Sequence, residues 1–447
     1  MKAVDLIRRK RDGAALSREE ISFLVEGYLK GTVTEIEMPE FLMAVADKGM
    51  TADETAWLAE AIAGSGGKPG QGPGIQGVKV DKQSTGGVGD KTGLILPPLM
   101  AAMGLKMPSI TGRGLWRMGA IDKLASIPGL KTQSSLAAMA DELKSVGFSI
   151  CDTVEDAAPA AGRLYALREA AAAADSPALV AAGIMSKKIS EGLDALLIDV
   201  KAGSGGVVRG PDDARRLAGL MADIGSRAGI KTAALVTDMD TPFGRAVGPA
   251  MEVKECISAF KGRFAPDLLE LTMTLAAWML HLADCVSEEA RPQKLGEHII
   301  KKYRDEAWDY IEHGDAFKKF VEFIDARGGD PEAAFDAGRL PKAGHIKPVL
   351  SPWSGYVKRL DALAAGQAAM LLGAGRRKME DKIDPAAGII LGKKPGDTVH
   401  AEEPFATLYT NDPKTLAEAE EVLLSGVEIS DREPPKRRLV LDVILPG

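Results

Sequence analysis

Lys82-Gln-Ser-Thr-Gly-Gly-Val-Gly-Asp90 lies between a short apolar run, Ile75 to Val80, and an apolar periodic segment, Leu94 to Met103. The succession reads as strand, glycine loop, helix. Glycines in such a loop let the backbone turn sharply and aim its N–H groups at one point. The helix start behind them adds a partial positive charge, so the pattern makes an anion site. Lys82 contributes a full charge and Ser84 a hydroxyl. A lone glycine loop often does no more than turn the chain. Here a second, Thr111-Gly-Arg-Gly-Leu115, follows with its own cation and hydroxyl. Two such loops predict phosphate binding.

Working outward, the 447 residues, 45% of them apolar, suffice for two or three domains around a large core. A net charge of −7 without a long basic run argues against a nucleic-acid surface. Cys151, Cys256 and Cys285 are far apart and lack metal-ligand spacing, which predicts a reduced, cytoplasmic setting. The chain opens on the charged, amphipathic segment Val4 to Arg11, so no signal peptide is expected. Leu271 to Ala283 is apolar but shorter than the roughly 20 residues that span a bilayer. It is expected as a core or dimer-interface helix, with no membrane partner.

Ser17-Arg-Glu-Glu20 and Thr51-Ala-Asp-Glu54 are capping-box patterns, each opening a segment with helical apolar spacing. Gly64 to Gly77 punctuates the chain as a hinge or linker. Strand-like runs Ile75–Val80, Ser149–Asp152, Ala195–Val200 and Thr232–Thr237 then alternate with helical patterns such as Ser134–Gly147 and Pro211–Ala228. That alternation predicts an α/β sheet with helices on its faces. Gly162 to Gly192 is alanine-rich and helix-forming. From about His345 short strands separated by turns, among them Lys394-Pro-Gly-Asp397, predict a separate α+β module. The Gly-Asp-x-Val turn there resembles lipoyl carriers, but no lysine stands at a hairpin tip for modification.

Along nearly its whole length the sequence resembles the pyrimidine nucleoside phosphorylases of the thymidine phosphorylase type. The matching stretches include Val4 to Gly13, KQSTGGVGD, TGRGL, Asp122-Lys-Leu, Leu164-Tyr-Ala-Leu-Arg168 and Met185-Ser-Lys-Lys188. Asp199-Val-Lys201, Gly203-Ser-Gly205, Glu252-Val-Lys-Glu255 and Gly373 to Asp381 continue them in order. The resemblance implies a small discontinuous helical domain (1–65 plus 160–193), an α/β phosphate-binding domain (70–159 plus 194–340) and a C-terminal α+β domain (345–447). It also implies a homodimer, no cofactor beyond inorganic phosphate as co-substrate, and hinge closure between base and phosphate sites. Phosphate would attack the anomeric carbon as the glycosidic bond breaks, so the protein holds a dianion and stabilises charge on the departing base.

Carried over residue by residue, the resemblance makes Arg168 and Lys187 the catalytic cations at the base. Tyr165, Leu115 and Gly183 join them on the base side. Lys82, Ser84 and Thr111 are expected at phosphate. Several positions depart from the family. Gln83 stands where a histidine is usual, and all five histidines lie beyond position 280; glutamine donates a hydrogen bond but delivers no proton. Gly183 and Gly93 replace serines, Gly119-Ala120 shortens a turn that carried a threonine, and Trp116-Arg117 replaces a Gly-His pair. Arg117 is expected to bind an anion, either phosphate itself or a phosphate carried by the substrate. Lys91 replaces a threonine beside a cation site, and its ammonium is expected to pair with Glu255 in place of a metal.

The reading that follows is a phosphorylase of a pyrimidine nucleoside. A homologue with a nucleotide, an unusual base or water in the reaction is the first alternative. A catalytically silent nucleoside-binding protein is the second.

Overall fold

The computed structural model describes residues 1–68, 74–114, 116–170, 173, 176–378 and 380–447. Five strands organise its centre: β1 (Val80–Ser84), β2 (Met107–Ile110), β3 (Phe148–Cys151), β4 (Ala195–Ala202) and β5 (Lys231–Asp238). β1, β4 and β5 are parallel neighbours, and β2 pairs with β3 in parallel beside them. β4 is buried at every position, as expected of a parallel strand covered on both faces; its apolar run Ala195–Ile198 gives way to Asp199 and Lys201, which are buried as a pair.

The first strand lies later than its apolar run suggests. Polar Asp81, Lys82 and Gln83 are ladder residues, and the turn itself begins at Thr85. Compensation explains this. Asp81 pairs with Lys188 at 2.5 Å, and the Lys82 ammonium donates to Thr92 Oγ1 at 2.8 Å, so two charges are buried with partners. The register sets Ser84, the last residue of β1, beside Asp199 of β4, and ligands of open α/β sheets bind at the carboxyl ends of the strands.

The helices Arg18–Leu29 and Ala52–Ala63 open with the two expected capping boxes, at Ser17 with Glu20 and Thr51 with Glu54. With Ala3–Arg11, Glu37–Lys48, Pro159–Ala170 and Pro177–Ser190 they build a helical lobe. Its core runs on without a break into the helix Pro211–Arg227 and one face of β4 and β5. The glycine-rich segment between lobe and sheet falls partly outside the described residues. Where it is described, Gly67 donates its N–H to Asp156 O at 3.1 Å, and a Cβ at Gly66 would stand 2.4 Å from the same oxygen. Only glycine allows that approach.

The apolar stretch around Leu271 belongs to a 22-residue helix, Pro266–Ser287, long and apolar enough by length and composition to cross a membrane. It packs against β4, β5 and the helix Glu297–Glu312, with Leu271, Trp278 and Leu282 buried. Within this chain it is a core helix.

The C-terminal region is less separable than its turn-rich pattern suggests. Its strands Gly388–Leu391 and Pro404–Thr410 accept Ala246–Val247 from the α/β region into their sheet. In exchange, Val440–Ile444 leaves it to pair antiparallel with β5. Each donated strand covers an edge that would otherwise present unpaired backbone groups.

Candidate active site

The two glycine turns face a cavity of about 350 Å³ whose opposite wall includes Tyr165 and Lys187 of the helical lobe. The first turn depends on Gly89, at φ +70°, where a Cβ would meet Phe243 O at 2.6 Å. Ser84 Oγ accepts from the Gly86 N–H at 3.1 Å and donates to Asp90 Oδ2 at 2.7 Å. Asp90 is the hub. Its other oxygen accepts from Thr92 Oγ1 at 2.6 Å, and Lys201 and Lys82 lie 3.9 and 4.0 Å away. Burial alone would raise the Asp90 carboxyl; Lys201, Lys82 and Lys123 outweigh it and hold the group well below the usual carboxylate range. Lys201 also pairs with Asp199 at 2.7 Å and lies 4.4 Å over the Phe243 ring.

The second turn folds back on itself. A Cβ at Gly114 would stand 1.8 Å from Arg117 O. Asp122 Oδ2 holds the turn closed by accepting from the N–H groups of Gly114 and Gly119 at 2.8 and 3.0 Å. The other Asp122 oxygen pairs with Arg376 at 2.6 Å, and Arg376 also donates to Gly114 O. A residue of the C-terminal region therefore fixes the turn. Trp116 is seated against the same region, 2.9 Å from where a Cβ at Gly366 would be.

Arg168 stacks 5.0 Å from the ring centroid of Tyr165, which lines the cavity, while neither Gly183 nor Arg168 is itself a lining residue. Gly183 opens space in front of it, since an added Cβ would meet only Arg168 Nη1, at 4.0 Å. Lys187 lies four residues on, on the same helix face. Desolvation first, and repulsion from Lys188 second, pull its ammonium down to about 8. No hydrogen bond or ion pair engages it among the described residues.

Of the residues expected at the site, Lys82, Gln83, Ser84, Thr111, Arg117, Tyr165 and Lys187 all line this cavity. The Gln83 amide nitrogen is turned along the chain to donate to Ser84 O. Leu115 lies outside the described residues. Lys91 pairs with Glu255 at 2.8 Å and donates to Phe243 O and Ala246 O at 2.8 and 3.2 Å. The sequence reading assigned no role to Asp90, Asp199, Lys201, Asp122 or Arg376. Their signal was charge at the polar ends of otherwise apolar strands and turns.

Residues 4–66 match the glycosyl transferase family helical bundle domain, and 76–317 the α/β domain of that family. Residues 356–430 match the pyrimidine nucleoside phosphorylase C-terminal domain. The chain is 40% identical over 447 residues to a pyrimidine-nucleoside phosphorylase of Geobacillus stearothermophilus, covering 99% of this chain and 100% of that one. It is also 40% identical over 414 residues to a Staphylococcus haemolyticus protein of the same name, covering 92% of each. Anthranilate phosphoribosyltransferase from Thermus thermophilus shares the fold at a TM-score of 0.56 and 16% identity, covering 73% of this chain and 99% of that chain.

Proposed function

Because the chain belongs to the pyrimidine nucleoside phosphorylase family, we propose that it catalyses reversible phosphorolysis of a pyrimidine nucleoside to free base and (deoxy)ribose 1-phosphate. A phosphate oxygen bonds to C1′ as the C1′–N bond breaks, and the bonding pair leaves with the base nitrogen. The observation that supports this best is a single cavity lined by Lys82 from the sheet and Lys187 from the helical lobe. One cation serves each half of the reaction.

In this reading phosphate sits on Lys82, Ser84, Thr111 and the turn N–H groups, with Asp90 and Asp199 holding the lysines in place. The base lies by Tyr165 and Gly183, its carbonyl edge against Arg168 and Lys187. As the bond breaks the base becomes anionic, so those cations favour the transition state over the substrate. Gln83 donates a hydrogen bond and transfers no proton. Lys91 takes the position of a cation beside Glu255, and no metal or other cofactor takes part. The protein acts in the cytoplasm as a homodimer, a state favoured by Val4, Ile36 and Met43, apolar and exposed on or beside the N-terminal helices.

Release of free base from pyrimidine ribo- and deoxyribonucleosides, with and without inorganic phosphate, tests the reading. Phosphate-dependent release is expected. Release without phosphate would replace phosphorolysis with hydrolysis, and no release from folded protein would leave a binding role.

A second test addresses the lost hydroxyl at Gly93. A Cβ there meets nothing within 4 Å, and the position lines the cavity. Gly93→Ser is expected to fold normally and to lower the KM for phosphate about 2- to 10-fold, the value of one neutral hydrogen bond. An unchanged phosphate saturation curve would mean that phosphate does not reach this position.

A further inference from the structure

We propose that the preferred nucleoside carries an acidic group of its own, a carboxylate or a phosphate monoester, which Arg117 receives on the cavity wall. This rests on the phosphorylase reading above and names its substrate class.

The charges around the cavity are unequal. Lys82 lies 4.0 Å from Asp90 and 3.9 Å from Asp199, while Lys188 pairs with Asp81 and Glu191 at 2.5 Å each. Asp90 is the one acid on the wall among the described residues. It is already saturated by Ser84, Thr92 and three lysines. Arg117 and Lys187 face the same space, and neither has a carboxylate partner among the described residues. Lys187 is accounted for by the base. Arg117 is not.

Its guanidinium lies 4.3 Å over the Trp116 ring, and its Nη1 is buried without a hydrogen-bond acceptor among the described residues. A buried charged donor left without an acceptor is costly, and such groups mark unfilled functional positions. Trp116 cannot drift, because Gly366 and Gly375 of the C-terminal region pack against it. Burial lowers the Arg117 pKa, and the ionisable neighbour that opposes this is Tyr165. Arg117 shares the cavity wall with Tyr165, on the base side of the reading above. Phosphate on Lys82 leaves it unmatched, and so does a neutral base on Arg168 and Lys187. A carboxylate or phosphate on the nucleoside fits its planar, bidentate geometry.

The test compares phosphate-dependent base release from uridine, uridine 5′-phosphate, 5-carboxyuridine and 6-carboxyuridine, for the natural protein and for Arg117→Gln and Arg117→Lys. One acidic nucleoside is expected to exceed uridine in kcat/KM by about 10- to 100-fold, the worth of a hydrogen bond to a charged group. Its identity places the acid on the sugar or on the base. Arg117→Gln should erase that preference, and Arg117→Lys should keep part of it, which separates binding from a folding defect. Equal or better use of uridine, with Arg117→Gln raising the KM for inorganic phosphate, would overturn the proposal and assign Arg117 to phosphate. Phosphate-independent release, or none, would instead overturn the phosphorylase reading and this inference with it.

Discussion

Replacing Lys187 by methionine is expected to lower kcat/KM by about 100- to 1000-fold, the usual effect of removing one preorganised donor to developing charge. The side chain is set on a helix whose next residue, Lys188, is anchored by Asp81, Glu191 and Ile110 O. That anchor fixes the helix against β1 and β2, so Lys187 enters the cavity from a rigid base. Without a protein partner among the described residues, it is free to serve the departing base. Phosphate binding in the absence of nucleoside should survive the substitution. If kcat/KM fell less than about 10-fold, the leaving base would be stabilised elsewhere.

The same residue gives the reaction a pH dependence. Because desolvation brings the ammonium down to about 8, the active cation is present below that pH and lost above it. The kcat/KM profile should therefore fall on the alkaline side of about 8. Bound phosphate dianion opposes the loss of charge, so the limb in kcat should lie at higher pH. Lys187→Arg keeps a charge that does not titrate in this range. It should retain part of the activity while abolishing the alkaline limb. A limb that persists unchanged in the arginine variant would assign it to another group.

The contrast between what the sequence disclosed and what it concealed is physical. Capping boxes, glycine turns and mostly apolar strands are local, and Ser17, Thr51 and the strand expected at Ala195–Val200, which runs to Ala202, were legible because their causes lie within a few residues. The start of β1 was not, because the charge of Asp81 is balanced in the buried strand by Lys188, more than a hundred residues away, and Lys82 lies between Thr92 and the similarly distant Asp199. The same holds for the second turn. Its glycines announced a sharp bend, but the groups that hold it, Asp122 and Arg376, meet across 254 residues. The strand exchange between Ala246–Val247 and Val440–Ile444 is likewise invisible to periodicity, since edge pairing depends on which edges the rest of the fold leaves open. Family resemblance supplied the identity of the cavity residues; it gave no reason for Trp116 to be clamped by Gly366.

Lys91→Met is expected to be among the most destabilising single changes, at about 3 to 5 kcal/mol, because it removes one partner of a buried ion pair. The ammonium is fully buried and bonds three oxygens, one from Glu255 and the carbonyls of Phe243 and Ala246. Burial opposes its charge, and Glu255 followed by Glu252 more than restores it, so its pKa is raised. Methionine fills the volume but leaves those oxygens unmatched. The Glu255 carboxylate keeps the N–H groups of Arg245 and Ala246 at 2.7 and 2.9 Å, which places the cost towards the lower end. Activity should fall as well, since Phe243 from the same loop supports Lys201 beside Asp199. A smaller side chain tells more. Lys91→Thr leaves a cavity bounded by one carboxylate and two carbonyls, the hard oxygen donors preferred by calcium and alkali cations. Its chemical-denaturation midpoint should recover when potassium or calcium replaces choline, whereas that of Lys91→Met should not. Recovery in threonine alone would show that the ammonium acts as a built-in cation; equal midpoints for Lys91→Met and the natural protein would show that this charge does not hold the loop.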